Sequence, residues 1–247
     1  MSDRWDFWID RGGTFTDVVA RRPDGGYLTH KLLSDNPELY ADAALAGIRH
    51  LLGLAHGAAI PTERIASVKM GTTVGTNALL ERTGERTLLV TTEGFADVLR
   101  IGYQNRPHLF DLNVRLPEML YDRVLEVSGR LTAQGEELLP IDLVGARAGL
   151  RAAYDAGIRS CAVVFIHGYR YNGHENAVAE LARQIGFTQV STSHQVSPLM
   201  KIVSRGDTTV VDAYLSPILR RYIDRVAAEL GGARLMFMQS NGGLTDA

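Results

Sequence analysis

One short segment of the sequence combines residue types that can hold a phosphate. Residues 10–17 read Asp-Arg-Gly-Gly-Thr-Phe-Thr-Asp and lie between two apolar runs. The adjacent Gly12 and Gly13 let the backbone turn tightly, so that its N–H groups can approach a bulky anion. Among the nearby side chains, Thr14 and Thr16 add hydroxyl groups that could bind the same anion. Asp10 could hold Mg²⁺ through water, and Asp17 could position a water molecule. The segment therefore predicts a site for phosphate and metal.

A plain structural explanation of this segment stays open. The Gly-Gly pair could simply make the turn of a β-hairpin whose edges are capped by Thr and Asp. The segment is not a Walker loop, because no Gly-Lys-Ser/Thr follows the glycines and the next element is a predicted strand. Any phosphate would therefore meet hairpin amides with no helix dipole behind them.

A second polar group follows the predicted strand at residues 65–70. Gly71, Thr72 and Thr73 come directly after it, and Asn77 lies in the first turn of the predicted helix at residues 74–82. Ligands of open α/β sheets gather where strands end and helices begin. The group predicts a polar cup for a small amide, a carboxylate or a reacting γ-phosphate. In the alternative interpretation Thr73 is a helix N-cap and Asn77 satisfies backbone groups.

The remaining candidates lie in a long loop at residues 102–122 or directly before it. Arg100, Gln104 and Arg106 have a spacing that could reach an anionic substrate. Loops of this length in compact domains are usually functional or mobile. Arginines are common on protein surfaces, so for any one of these residues an ordinary surface position is the favoured interpretation.

The order of predicted elements favours an α/β fold with a mixed sheet flanked by helices. Short strands at residues 6–10, 15–21 and 27–32 are joined by tight turns and should pair antiparallel. Helices and strands alternate afterwards, as in a ribonuclease-H-like domain. Three helix details are also predicted: a start at Asn36-Pro37, a capping box formed by Asn172 and Glu175, and a long helix over residues 208–230.

Composition limits the partners. The 247 residues carry a net charge of −2 with both signs scattered, which argues against nucleic acid or a membrane surface as a partner. No apolar run approaches the roughly 20 residues that span a bilayer, and the N-terminus lacks a secretory pattern, so we expect a cytoplasmic protein. The single cysteine, Cys161, lies in an apolar run and is interpreted as a buried strand residue rather than a reactive thiol.

Beyond these patterns, the sequence resembles the N-terminal region of the hydantoinase A/5-oxoprolinase family, within the actin-like ATPase superfamily. The resemblance rests on residues 7–18, 31–34, 70–82, 94–97, 109–112 and 241–243, and it covers essentially the whole chain. Residues 37–49 and 116–121 look most like the ATP-dependent 5-oxoprolinases. Departures at residues 128–130 and 198–201 leave the exact lactam or hydantoin open.

The resemblance implies an activity and a set of partners. The activity is ATP-driven opening of 5-oxoproline or a hydantoin ring through phosphorylation of the amide oxygen, with Mg²⁺ as cofactor and a place in glutathione metabolism. It also implies a second hydantoinase B-type component or region, and homo-oligomers are possible. The family regions would divide the chain into residues 1–200 and 201–247. Because only one Asp-x-Gly-Gly-Thr occurs, we expect this chain by itself to show little ATPase activity. A non-catalytic nucleotide- or metabolite-binding module and a small-molecule kinase are the alternatives.

Overall fold

The computed structural model of the protein describes residues 3–104, 110, 112, 118–239 and 241–247. The chain forms two compact units: residues 1–81 with 218–247 make the first unit, and residues 82–217 make the second. The boundary falls within one long helix, directly after Pro217. No helix in the described ranges combines the length and apolar character needed to span a membrane.

The first unit is built on a six-stranded mixed sheet with the order β12-β11-β4-β1-β2-β3. The strands β1, β2 and β3 pair antiparallel, as predicted, whereas β4 runs parallel to β1 and β11 runs parallel to β4. Its elements are β1 (Trp5–Arg11), β2 (Phe15–Arg21), β3 (Tyr27–Leu33), α1 (Ala43–Leu51), β4 (Ile65–Thr72), α2 (Val74–Leu80), β11 (Arg234–Met238) and β12 (Leu244–Asp246), with the C-terminal part of α7 (Ile202–Leu230).

One face of this sheet packs on α1 and on the C-terminal part of α7. The core between them is apolar and includes Phe7, Ile9, Val18, Ile48 and Val226. Side chains alternate along a strand, so the neighbours Asp10 and Asp17 lie on the other face, where both are exposed. The arrangement fixes the hairpin from behind and leaves its acidic face open.

The second unit holds a four-stranded parallel sheet with the order β10-β9-β5-β6. Its central strands are buried along their whole length, as expected where both faces are covered. Its elements are β5 (Thr87–Thr92), α3 (Val98–Ile101), β6 (Arg123–Val127), β7 (Arg130–Leu131), β8 (Glu137–Leu139), α4 (Leu143–Asp155), β9 (Ser160–Val164), α5 (Gly173–Ile185), β10 (Gln189–Thr192) and α6 (Ser193–Val196), with the N-terminal part of α7.

The α/β class with a mixed sheet is confirmed, but three helix predictions are wrong. Helix α1 begins at Ala43 rather than at Asn36-Pro37, because the Asp42 side chain caps it by accepting from the N–H of Leu45 at 3.1 Å. Helix α7 begins at Ile202, six residues before the predicted start. The predicted capping box is absent, because Asn172 makes no cap and Glu175 is buried in other contacts.

Cys161 is a fully buried residue of β9, which agrees with its interpretation as a structural residue. Burial raises the pKa of its thiol to about 12. The thiolate, which is the nucleophilic form, is therefore disfavoured at neutral pH.

Candidate phosphate and metal site

The glycine turn between β1 and β2 is closed by a hydrogen bond from the N–H of Gly12 to the carbonyl of Phe15, at 3.1 Å. Both glycines sit where a side chain would crowd a neighbour. A Cβ at Gly12 would lie 3.0 Å from that carbonyl oxygen, and one at Gly13 would lie 3.2 Å from Nδ2 of Asn77. Neighbouring atoms therefore lie close to the backbone at both glycines. At Gly13 the neighbour is Asn77, which places that side chain beside the turn.

Two peptide N–H groups of this turn are unused. Within the ranges that the structure describes, the N–H groups of Gly13 and Thr14 donate to no other group, and both residues are exposed. Backbone N–H groups are strong donors that normally find a partner. Successive backbone N–H groups in a turn can form an anion-binding concavity, so these two donors are candidates for contact with a phosphate oxygen.

Asp10 and Asp17 face each other across the β1–β2 pair. Their environments differ. Both carboxylate oxygens of Asp17 lie 3.0 Å from Nζ of Lys31, in an exposed ion pair. Among the described residues, the carboxylate of Asp10 has no hydrogen bond and no ion pair. Asp10 is thus the carboxylate available to a cation, whereas Lys31 partly neutralises Asp17.

The second polar group lies against the hairpin. Gly71 is the β4 partner of Asp10, and a Cβ there would stand 3.6 Å from Oδ1 of Asp10. The N–H and the hydroxyl of Thr73 both donate to the carbonyl of Arg11, at 3.0 and 3.2 Å. The hydroxyl of Thr72 accepts from the N–H of Val74 at 3.2 Å. The two bonds from Thr73 attach the start of α2 to the end of β1, so two motifs predicted separately lie next to each other in the first unit.

The side chains of Thr73 and Asn77 distinguish the two interpretations of this second polar group. Thr73 occupies the N-cap position of α2, yet its side chain makes no capping bond. The side chain of Asn77 makes no hydrogen bond to any residue that the structure describes. The interpretation in which Asn77 satisfies backbone groups therefore has no support in the structure.

Thr16 is placed differently from Thr14. Its side chain is fully buried, and its hydroxyl lies 2.9 Å from Oγ of Ser34. Contact between Thr16 and a phosphate therefore has no support in the structure, whereas the exposed Thr14 remains available. Sequence reasoning missed Ser34, since a lone serine at the end of a strand carries no chemical signature.

The candidate substrate residues of the loop belong to the second unit. Arg100 lines a cavity of about 560 Å³ together with Asp97, Tyr121 and Arg123. Burial, and then the nearby Asp97 carboxylate, raises the pKa of Tyr121. Gln104 follows α3 with a positive φ of 58°. Arg106 lies outside the described residues.

A magnesium ion would fit the hairpin as a partly hydrated ion. No cluster of three or more His, Cys, Asp or Glu side chains suited to a metal occurs in the described part of the chain. Mg²⁺ commonly binds through one or two carboxylates and substrate phosphates while it keeps several waters. The Asp10 carboxylate, which has no partner among the described residues, could supply one such ligand beside the glycine turn.

Comparison with known proteins shows the family to which the chain belongs. Residues 6–186 match the family described as "Hydantoinase/oxoprolinase N-terminal region", and residues 205–247 match "Hydantoinase/oxoprolinase". The 5-oxoprolinase of Dictyostelium discoideum is 41% identical, over 96% of this chain and 22% of its own length. The chain thus spans about a fifth of that relative.

Another relative is the caprolactamase of Pseudomonas jessenii. Its subunit alpha is 34% identical, over 96% of this chain and 35% of its own. The crystal structure of the ATP-dependent caprolactamase from that organism superposes with a TM-score of 0.80 at 31% identity, covering 97% of this chain and 36% of the other. The family match alone includes well over half of the residues. The chain therefore belongs to the hydantoinase/oxoprolinase family, and it carries the N-terminal region of that family.

Proposed function

We propose that this chain supplies the phosphate-binding and magnesium-binding part of an ATP-dependent cyclic-amide hydrolase of the 5-oxoprolinase type. The observation that carries the proposal is that the N–H groups of Gly13 and Thr14 and the nearby Asp10 carboxylate have no partner within the described part of the chain. The family membership and the ATP-dependent caprolactamase relative support the same chemistry.

The chemistry follows from the stability of a lactam. Amide resonance protects the ring carbonyl from water. Transfer of the γ-phosphoryl group of ATP to the lactam oxygen would remove that resonance and create a leaving group, after which water opens the ring. Phosphoryl transfer depends mainly on positioning and charge neutralisation, which hairpin amides and a cation can supply.

In this proposal each residue of the hairpin has a role. Gly12 shapes the turn, and the N–H groups of Gly13 and Thr14 hold phosphate oxygens. Asp10 would hold Mg²⁺ through water, and the metal would neutralise phosphate charge when bound. Asp17, held by Lys31, positions a water molecule.

The second group would act beside the transferred phosphate. Gly71 keeps space open next to Asp10, and Thr72 and Thr73 fix the start of α2. Asn77, whose amide has no partner among the described residues, would contact the γ-phosphate or the lactam amide. Arg100, with Gln104 and Arg106 nearby in sequence, would bind an anionic group of the substrate in the cavity that Arg100 lines.

Further properties of the whole protein remain our proposals. They are 5-oxoproline or a hydantoin as substrate, a role in glutathione metabolism, action in the cytoplasm and a family boundary near residue 200. A partner subunit is supported by the relative named as a subunit alpha, and that this partner is a second hydantoinase B-type component or region is our proposal. Homo-oligomers stay a prediction from the sequence.

Product analysis tests the proposal against its two alternatives. The complete natural polypeptide that contains this sequence, with any second component, is incubated with MgATP and either 5-oxoproline or a hydantoin. We expect ADP, phosphate and the ring-opened product in equal amounts. ADP with a phosphorylated metabolite would instead identify a kinase, and binding without products would identify a non-catalytic module. The 247-residue chain by itself, a fifth of the length of the Dictyostelium relative, should turn over ATP slowly.

A further inference from the structure

Ser34 binds the back of the glycine turn at two points. It follows β3 directly and is 5% exposed. Its hydroxyl donates to the carbonyl of Gly12 at 2.7 Å, and its N–H donates to the carbonyl of Thr14 at 2.9 Å. One buried residue therefore holds two carbonyl groups of a turn that contains two glycines.

The hydroxyl of Thr16 extends this contact into a chain of hydrogen bonds. A serine has a single hydroxyl hydrogen, and that of Ser34 is given to Gly12. The contact of 2.9 Å between the two hydroxyl oxygens must then be a donation from Thr16 to Ser34. The direction runs from Thr16 through Ser34 to the Gly12 carbonyl, and each hydroxyl hydrogen has a partner.

The bond to Gly12 decides where the next N–H group points. Peptide units are planar, and none of those described is cis, so the carbonyl of Gly12 and the N–H of Gly13 point in opposite directions. Because Ser34 holds that carbonyl on the buried side, the N–H of Gly13 faces the exposed side. Glycines rotate easily, so this peptide unit would otherwise be free to turn over.

We propose that Ser34 is a positioning residue of the phosphate site. It acts through the Gly12–Gly13 peptide and fixes the Gly13 donor toward the phosphate, with Thr16 orienting the Ser34 hydroxyl. The role of the Gly13 N–H as a phosphate donor rests on the proposed function. The orientation of the Gly12–Gly13 peptide does not, because it can be observed without any nucleotide.

The test compares Ser34→Ala with Ser34→Thr, which keeps the hydroxyl. Ser67→Ala is the matched control, because Ser67 is also buried in the first unit and donates one hydrogen bond, to Asp6 at 2.6 Å, away from the turn. Crystal structures of the variants show the peptide orientation. Steady-state kinetics of the complete natural polypeptide give KM and kcat for MgATP and for the lactam separately.

We expect Ser34→Ala to rotate or disorder the Gly12–Gly13 peptide. It should lower kcat/KM for MgATP by about tenfold, the effect of one lost hydrogen bond, while KM for the lactam stays unchanged. Ser34→Thr should restore both the orientation and the kinetics, and Ser67→Ala should alter neither.

Three results would overturn the inference. They are an unchanged peptide in Ser34→Ala, a rotated peptide with unchanged kinetics for MgATP, and an equal loss of kcat/KM in Ser67→Ala. If the wild-type polypeptide hydrolyses neither ATP nor lactam, the proposed function fails instead. The crystal structures would then still decide whether Ser34 sets the orientation of the turn.

Discussion

Two polar clusters of this molecule use similar groups in opposite ways. At the glycine turn of the first unit, Asp10 and the N–H groups of Gly13 and Thr14 are exposed and have no partner among the described residues. In the second unit, Glu175 is fully buried and accepts hydrogen bonds from the N–H of Phe165 at 3.0 Å and from Nδ1 of His194 at 2.6 Å.

The buried cluster continues through an arginine. Arg205 is also fully buried, and it donates to Oγ of Ser193 at 2.8 Å and to the carbonyl of Phe165 at 2.7 Å. Ser193 donates in turn to Glu175. Burial lowers the pKa of Arg205, and the carboxylate of Glu175 opposes that shift. Each charge is therefore compensated where water cannot reach it.

This difference in burial and pairing indicates that the two clusters have different roles. A buried charge is tolerated only when it is paired and hydrogen-bonded, so the Glu175 cluster contributes to folding. Polar groups on an exposed turn cost no stability, because water solvates them, and they can bind a ligand. Changes in the first cluster should affect function, and changes in the second should affect stability.

The largest expected effect is on stability. Glu175→Gln removes the charge that compensates buried Arg205, so we expect a loss of about 3–5 kcal/mol in the free energy of unfolding. Urea denaturation of the chain measures it. Glu180→Gln, at an exposed position on the same helix, is the control and should change stability by less than about 0.5 kcal/mol. Equal stability of the two variants would show that the charge of Glu175 does not stabilise the fold.

Asp10→Asn should have the next largest effect, on function. We expect kcat for ATP-dependent ring opening to fall by about 10²–10³, the loss seen when one group stabilising the transition state is removed. Stability should stay within about 0.5 kcal/mol of wild type, because the side chain is exposed. Asp24→Asn, on the exposed turn after β2, should leave kcat unchanged. Normal turnover with Asn at position 10 would exclude Asp10 as the metal ligand.

Gly13→Ala should weaken nucleotide binding. The new methyl group would lie 3.2 Å from Nδ2 of Asn77, so we expect the turn to shift and the hydrogen bond from the Gly13 N–H to the phosphate to be lost, which weakens the binding of MgATP by about 1 kcal/mol. Titration calorimetry measures the change. Gly173→Ala is the control, because a Cβ there meets no atom within 4 Å. Unaltered affinity in Gly13→Ala would show that the turn accommodates a side chain and does not closely surround a phosphate.

The smallest effect concerns a histidine pair in the first unit. The rings of His30 and His50 stack with centroids 3.9 Å apart, and burial, followed by the His50 charge, lowers the pKa of His30 below 6.5. The unfolded state then binds protons more readily, so the contribution of His30 is present above pH 6.5 and is lost as pH falls. Denaturation at about pH 7.5 and pH 5.5, on either side of the usual histidine pKa, should show a smaller acid-induced loss in His30→Gln. An identical loss in the variant would assign the pH dependence to other groups.

Local patterns predicted much of this architecture. Apolar runs broken by glycine turns predicted the β1–β2–β3 meander, because tight turns impose antiparallel pairing. The Asp-x-Gly-Gly-Thr segment and the Gly71–Thr73 segment were each recognised from residue types. Neither predicted that Gly13 would meet Asn77, since that contact depends on the parallel pairing of β1 with β4.

Other features depend on tertiary contacts that periodicity does not encode. Glu175 occupies the position of a capping-box glutamate, but contacts with Phe165 and His194 hold it in the interior. Thr14 and Thr16 look equivalent in sequence, yet Thr14 lies exposed in the turn before β2, whereas Thr16 lies within β2 and is buried against Ser34. The formation of a separate four-stranded sheet by residues 82–217 was likewise not predicted.

The most direct test is a crystal structure of the complete natural polypeptide with Mg²⁺ and a non-hydrolysable ATP analogue. We predict that phosphate oxygens accept hydrogen bonds from the N–H groups of Gly13 and Thr14, and that a hydrated Mg²⁺ faces the carboxylate of Asp10. Phosphate density bound elsewhere, with these N–H groups still facing solvent, would contradict the account.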